Sequence, residues 1–350
     1  MKLLNWLLVL IPVAIGAELM HAGPLVIFAS SALAIVPLSG LLGQATEELA
    51  GHTGPTVGGL LNATLGNLAE LIIAGLALRA GLIDLVKASI TGSILGNLLL
   101  VLGAAQLSGG LRNRVQQFNP HLAGMSVSLM TIAVMGLGIP TVFHWLHPDP
   151  SRAATVRMSE FVAGLLMLGY VLSLVYSMWT HRAVFGEGGD VAHGEEAPNW
   201  SLRRALVVLL LAAAGIGWLS EMLVGSTEEA VAAMGLSQVF VGLILVPIIG
   251  NAAEHSSAVM MALKNRMDLA VGISIGSSVQ VALLIAPLLV FLGVAFGKPM
   301  DLAFSTMELA SVVLAVAVAS AIVRDAESNW LEGAFLLIAY AIIGVAFFFF

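Results

Sequence analysis

Two glutamates draw attention by where they sit. Glu70 ends the string Gly66-Asn67-Leu68-Ala69-Glu70, and Glu254 ends Gly250-Asn251-Ala252-Ala253-Glu254. Both lie deep in long apolar runs. A charged side chain at the centre of a bilayer costs about 2.5–3.5 kcal/mol on insertion scales. A carboxylate kept there has a cation or a proton to hold; the plainer alternative is a pair of protonated acids bridging helices. On a continuous helix, Gly66 and Asn67 share a face with Glu70, and Gly250 and Asn251 share one with Glu254. A glycine beside the acid lets an ion or a second helix approach the backbone. Pro247 removes one helical hydrogen bond and so frees a carbonyl oxygen, which is a hard-cation ligand.

The runs that follow supply neutral oxygens. Ser89, Ser93 and Asn97 are spaced by four, as are Gly272, Gly276 and Gln280, with Ser277 alongside. The small residues could equally serve tight helix packing, whereas an amide in lipid needs partners. Two carboxylates with amide, hydroxyl and carbonyl oxygens suit a hard divalent ion such as calcium, which takes six to eight oxygens in flexible geometry. With no cysteine and few, scattered histidines, a soft-metal site is disfavoured. His255 adjoins Glu254 but points about 100° away on a helix; a proton relay and simple packing both remain open for it. Carboxylates out of water can hold protons, and a divalent ion favours their anions. One site would then hold two protons or one calcium, and mutually exclusive occupancy under alternating access is antiport.

The elements that position these residues are apolar helices. Of 350 residues, 59% are hydrophobic and 10% charged, with a mean hydropathy of +1.00. Soluble domains carry about 25% charge. A bilayer span needs about 20 apolar residues. Spans are expected near 4–20, 24–43, 57–80, 85–106, 122–146, 158–179, 203–224, 236–262, 268–295, 302–323 and 330–350, and these runs are too long for barrel strands. The fold expected is thus an all-α polytopic membrane protein of about eleven transmembrane helices. A cleavable signal is a second reading of Leu3–Ile15; a retained first helix is preferred. Nine Lys and Arg against five place the N-terminus inside.

The Gly-Asn-x-x-Glu strings are 184 residues apart (250 minus 66), and Gly92-Ser93 maps onto Gly276-Ser277 at the same offset. Ala45-Thr46-Glu47-Glu48 matches Ser226-Thr227-Glu228-Glu229 at 181. Three matched blocks in one order mark an internal repeat. Five spans per copy is an odd number, so the copies enter the membrane from opposite sides, the inverted-topology architecture of secondary transporters. The organisation expected is 1–22, an added N-terminal helix; 23–180, the first five-helix repeat; 181–202, an acidic cytoplasmic linker; and 203–350, the second repeat. The linker, with Glu187, Asp190, Glu195 and Glu196, reads as solvated chain or as a weak cation-collecting loop. Glu47, Glu48, Glu228 and Glu229 near span ends, and Glu221 within one, read either as solvated helix-end charges or as the access path for cations.

Together Gly58 to Thr64, the two Gly-Asn-x-x-Glu strings, Gly92-Ser93 through Asn97, and Ser277-Ser278-Val279-Gln280 resemble the calcium/proton exchangers of the cation/calcium exchanger superfamily. That resemblance implies a ten-helix inverted-repeat core with an added helix, and Glu70 and Glu254 as the ion-binding acids. It carries the motif roles onto Asn67, Asn251, Asn97, Gln280, Ser93 and Ser277, and implies a homotrimer as the assembly. Sodium/calcium exchangers of the superfamily carry Gly-Ser/Thr-Ser-x-Pro-Glu instead, so Asn67 and Asn251 favour proton coupling.

Sodium-coupled exchange, exchange of another divalent ion, and a cation channel are the alternatives. No enzyme is expected: His-Glu-x-x-His is absent. The expected partners are the lipid bilayer and the substrate ions Ca2+ and H+, with no cofactor and, at a net charge of −7, no nucleic acid. Compact length points to a prokaryotic cytoplasmic membrane, with a vacuolar membrane as the fallback.

Overall fold

The computed structural model describes residues 6–148, 151–181 and 198–349. Its helices are α1 (Leu7–Leu19), α2 (Pro24–Thr53), α3a (Pro55–Leu65), α3b (Leu68–Ala80), α4 (Ile83–Arg112), α5 (Pro120–Leu146), α6 (Ala153–Thr180), α7 (Leu202–Met234), α8a (Gln238–Gly250), α8b (Ala252–Leu263), α9 (Met267–Ala295), α10 (Thr306–Asp325) and α11 (Trp330–Phe348). Among the described residues nine helices, or ten when α8a and α8b count as one span, are long and apolar enough to cross a membrane. The expected eleventh, α1, is 13 residues long among the described residues (three in a tight turn, ten α-helical), which is short of a span. Linker residues 182–197 lie outside the described residues.

Several helices outrun their hydropathy. α2 was expected to end near 43 and continues to Thr53, where Gly54 turns at φ +78°. α7 was expected to end near 224 and continues to Met234, where Gly235 takes the left-handed conformation. Both helices stop at a glycine that takes positive φ, rather than where the apolar run thins.

The chain forms two compact units, and each draws on both sequence halves. The first holds α1 to α3b, α4 through Ser89, α7 and α8a with Ala252 and Ala253. Here α2 and α7 pack along their length, α1 lies on α2, and α3b lies on α7. Gly215 of α7 lets Leu38 of α2 approach: a Cβ there would stand 2.9 Å from Leu38 Cδ1. Trp200 ties α7 to the end of α2, its N–H donating to Glu48 Oε2 (2.9 Å) and its carbonyl meeting His52 Nε2 (2.7 Å).

The second unit holds α4 from Ile90, α5, α6, α8b from Glu254, and α9 to α11 through Ala346. Its centre is α4, packed against α9 and α10. α11 crosses α4 at backbone distance: a Cβ on Gly333 would stand 2.3 Å from Leu107 N and 2.7 Å from Gly103 O. Small residues are what allow such an approach in a membrane. Between α9 and α10 the chain is irregular yet sealed, with Met300 to Phe304 all buried. Its backbone polar groups therefore need partners. Leu302 N–H donates to Ser159 Oγ (2.9 Å) and Phe304 N–H to Thr141 Oγ1 (3.0 Å). Arg152 Nε lies 3.4 Å from Asp301 Oδ2. At the other end of this unit a short antiparallel ribbon pairs Gln116-Gln117 with Glu327-Ser328.

Candidate ion-binding site

The two glutamates do not sit within continuous helices. α3a ends at Leu65 and α3b starts at Leu68, with Asn67 at φ −98°, ψ 28° between them. α8a ends at Gly250 and α8b starts at Ala252, with Asn251 at φ −95°, ψ 10° and a bend of 61°. The continuous helix expected through Gly66, Asn67 and Glu70, and through their counterparts, is thereby corrected. Each Asn is the residue at a helix break, and each Glu lies in the first turn of the helix that resumes. The reason is local: Asn tolerates non-helical backbone, and the first N–H groups of a helix are left without intrahelical acceptors. Those N–H groups and the helix dipole favour a carboxylate there. Discontinuous helices of this kind form ion sites in secondary transporters.

In the first unit Glu70 and Asn67 are both buried, as is Asn251. Glu70 lies over the backbone of Gly250: a Cβ on that glycine would be 3.5 Å from Glu70 Cγ and 3.9 Å from its Cδ. The acid of the first motif thus meets the glycine of the second within one compact unit. In the second unit Glu254 is half-buried and accepts a hydrogen bond from Ser277. Its Oε2 is sealed and has no partner among the described residues, as has Nε2 of the adjacent His255. Ser93 and Asn97 are buried on α4, and Gln280 is half-buried on α9. Both amide atoms of Asn97 are without a hydrogen-bond partner among the described residues. A buried amide left bare costs about 1–3 kcal/mol, so it is poised for a ligand. No group of three His, Asp or Glu side chains converges among the described residues. Any hard ion held here takes neutral oxygens beside its carboxylates.

The helices that carry the amides are widened beside them. α4 has a π-helical turn at Gly96–Val101, and α9 has one at Val281–Ile285. Shifted by the repeat offset of 184, Gly96–Val101 falls on 280–285. Asn97 lies in the first widened turn and Gln280 caps the second. Such turns disturb the regular backbone pairing and recur at functional sites. A third, Val241–Leu245, precedes Pro247, as the α9 turn precedes Pro287. Proline's ring pushes against the carbonyl four residues back, and a widened turn relieves it. These two prolines were the sequence signal for widening; α4 offers no proline.

The access-path residues are dispersed. Glu47, Glu221, Glu228 and Glu229 are exposed within α2 and α7, inside the helices rather than at their ends, and Glu48 is engaged with Trp200. The threonines beside them, Thr46 and Thr227, are buried and each donates to the carbonyl four residues earlier. Gly276 was a candidate for close helix contact, but a Cβ there would meet nothing within 4 Å. One buried amide escaped the sequence reading: Gln106 of α4, fully buried and bare at both amide atoms among the described residues. The argument applied to Asn97 would have found it.

The profile of the sodium/calcium exchanger protein family matches this sequence twice, over residues 23–179 and 204–349. The chain is 44% identical to a Ca(2+)/H(+) antiporter of Synechocystis sp., over 99% of this chain and 97% of that protein. It is 42% identical to the Ca(2+)/H(+) antiporter ChaA of Bacillus subtilis, over 97% and 96%. Its fold superposes on the crystal structure of the Ca2+/H+ antiporter protein YfkE with a TM-score of 0.85, at 37% identity and with both chains fully covered. The chain belongs to the sodium/calcium exchanger protein family.

Proposed function

We propose that this protein is a Ca2+/H+ antiporter in which Glu70 and Glu254 carry the ion and the protons. The observation behind the reading is the doubled motif: at each copy a helix breaks at asparagine and resumes with glutamate in its first turn. Calcium is drawn by ionised carboxylates with amide and hydroxyl oxygens around them, the donors that Asn67, Asn251, Asn97, Gln280, Ser93 and Ser277 offer. Protons bound to the same carboxylates remove that attraction. Either occupant therefore excludes the other, and a proton gradient drives calcium uphill. Relatives of more than 40% identity that are named as Ca(2+)/H(+) antiporters support the ion pair. His255, beside Glu254, is assigned to proton passage, and Glu47, Glu48, Glu221, Glu228 and Glu229 to the approach of cations. The 23–180 and 203–350 segments are read as inverted repeats, the prokaryotic cytoplasmic membrane as the location and a homotrimer as the assembly.

The test is calcium uptake into proteoliposomes under an imposed pH gradient. Uptake against the calcium gradient, abolished by an uncoupler and lost in both Glu70→Gln and Glu254→Gln, is expected. Uptake that follows a sodium gradient instead overturns the proton coupling, and normal transport by either variant overturns the assignment of that acid.

A further inference from the structure

The ribbon end of the second unit carries a feature that ion exchange does not use. Between the first turns of α5 and the last turn of α10 lies a groove of about 420 Å³, walled by Pro120 and Gly124 on one side and Ala321 and Arg324 on the other. Its inner end, at Val127, Ser320 and Val323, is shared with a much smaller void of about 10 Å³, mostly apolar, reaching Met130 and Val316. Small residues keep the mouth open, and a Cβ on Gly124 would meet nothing within 4 Å. The space thus runs from a cationic lip to an apolar interior.

The lip is electrostatically available. Arg324 is exposed and makes no ion pair or hydrogen bond among the described residues. The nearby carboxylates are not its ion-pair partners: Asp325 accepts from Glu327 N–H, Glu327 from Gln117, and Asp268 from Asn119 N–H, all neutral donors that leave the acids charged. Arg112 and Arg114 are exposed in the stretch entering the same ribbon. Asn119 caps α5 by accepting from His121 and Leu122 N–H, so the helix end itself is satisfied. Further along α5 and α10, Ile132, Met135, Val313 and Leu314 are exposed apolar side chains of the kind that face acyl chains. By its Lys and Arg this end is the cytoplasmic one, where anionic lipids concentrate and basic pockets between helices bind their headgroups.

We propose that the groove seats one anionic phospholipid of the inner leaflet, its phosphate on Arg324 and one acyl chain between α5 and α10. The inference stands apart from the assignment of the transported ions.

The test uses the full chain purified in detergent, with phosphatidylglycerol and phosphatidylcholine titrated separately and retained lipid counted by native mass spectrometry. One phosphatidylglycerol per chain, held in preference to phosphatidylcholine, is expected. Arg324→Gln should weaken it about fivefold, the effect of one basic residue near an anionic surface. Gly124→Leu should abolish retention while the chain stays folded, because the space it fills is empty. Equal retention of both lipids, or retention unchanged in both variants, overturns the proposal. So does equal competition by glycerophosphoglycerol, which has no acyl chains and would mark a phosphate site only. A change of oligomeric state in Gly124→Leu without loss of lipid overturns it too, and makes the groove a contact between chains.

Discussion

Glu70 leans on Gly250, and that contact sets a graded perturbation. An alanine Cβ at 250 would stand 3.5 Å from Glu70 Cγ and 3.9 Å from both Glu70 Cδ and Ile73 Cδ1, which is ordinary van der Waals separation. Gly250→Ala should therefore fold and transport with a half-saturating calcium concentration within about twofold of wild type, since nothing is displaced. Valine adds two carbons a further ~1.5 Å out, and in a helix its branched side chain is held to one rotamer. At closest approach about 2 Å would remain where carbon atoms need about 3.5–4.0 Å. Glu70 must then move. Overpacking of this kind costs about 1–3 kcal/mol, so if it falls on the ion-bound arrangement, half-saturating calcium should rise between about 5-fold and 150-fold. The assay is initial calcium uptake by proteoliposomes at fixed pH gradient, with Gly75→Val as control because a Cβ at Gly75 meets nothing within 4 Å. An unchanged half-saturation in Gly250→Val, or an alanine variant as impaired as the valine one, would refute the idea that Glu70 rests on this backbone.

Three further outcomes follow from packing and polar burial. Asn97→Leu removes a fully buried amide with no partner among the described residues, so its thermal midpoint should equal or exceed that of wild type while calcium uptake falls at least tenfold; a lowered midpoint with normal uptake would make Asn97 a structural residue. Gly333→Ala forces a Cβ to 2.3 Å from Leu107 N against unyielding backbone, and should lower stability by about 3 kcal/mol or more, read as loss of monodisperse protein on size exclusion. Arg152→Ala removes the ion-pair partner of Asp301, which is 3% exposed and still accepts from Ala303 N–H. Because the arginine is half in solvent, the loss should be about 1–3 kcal/mol, measured as a lower melting midpoint with transport retained at low temperature.

Hydropathy located the helices well where a span is apolar from end to end, as in α6 and α11. It failed where polar residues continue a helix: Glu47 and Glu48 lie inside α2, which runs on until the chain turns at Gly54 with φ +78°. The motif glutamates were legible as ionisable groups in apolar sequence. Their setting was not, because Asn67 and Asn251 read as helical residues until the backbone shows them as breaks. The widened turn at Gly96–Val101, in the part of α4 that packs against α9 and α10, had no sequence signal comparable to Pro247 or Pro287. Gln106 was legible and was passed over because it stands outside the repeated strings.

The sealed irregular stretch from Met300 to Phe304 also bears on how the protein is made. Its long-range hydrogen bonds run to Thr141 and Ser159, and its aspartate to Arg152. All three are synthesised at least 140 residues ahead of it on the ribosome (301 minus 159 is 142). When the segment emerges its acceptors are already in place. A strand of bare peptide groups need not wait in lipid for a helix still to come. Reordering the chain, for example by a circular permutation that moves α5 and α6 behind α10, would remove that advantage and should expose the segment to quality-control proteolysis during insertion.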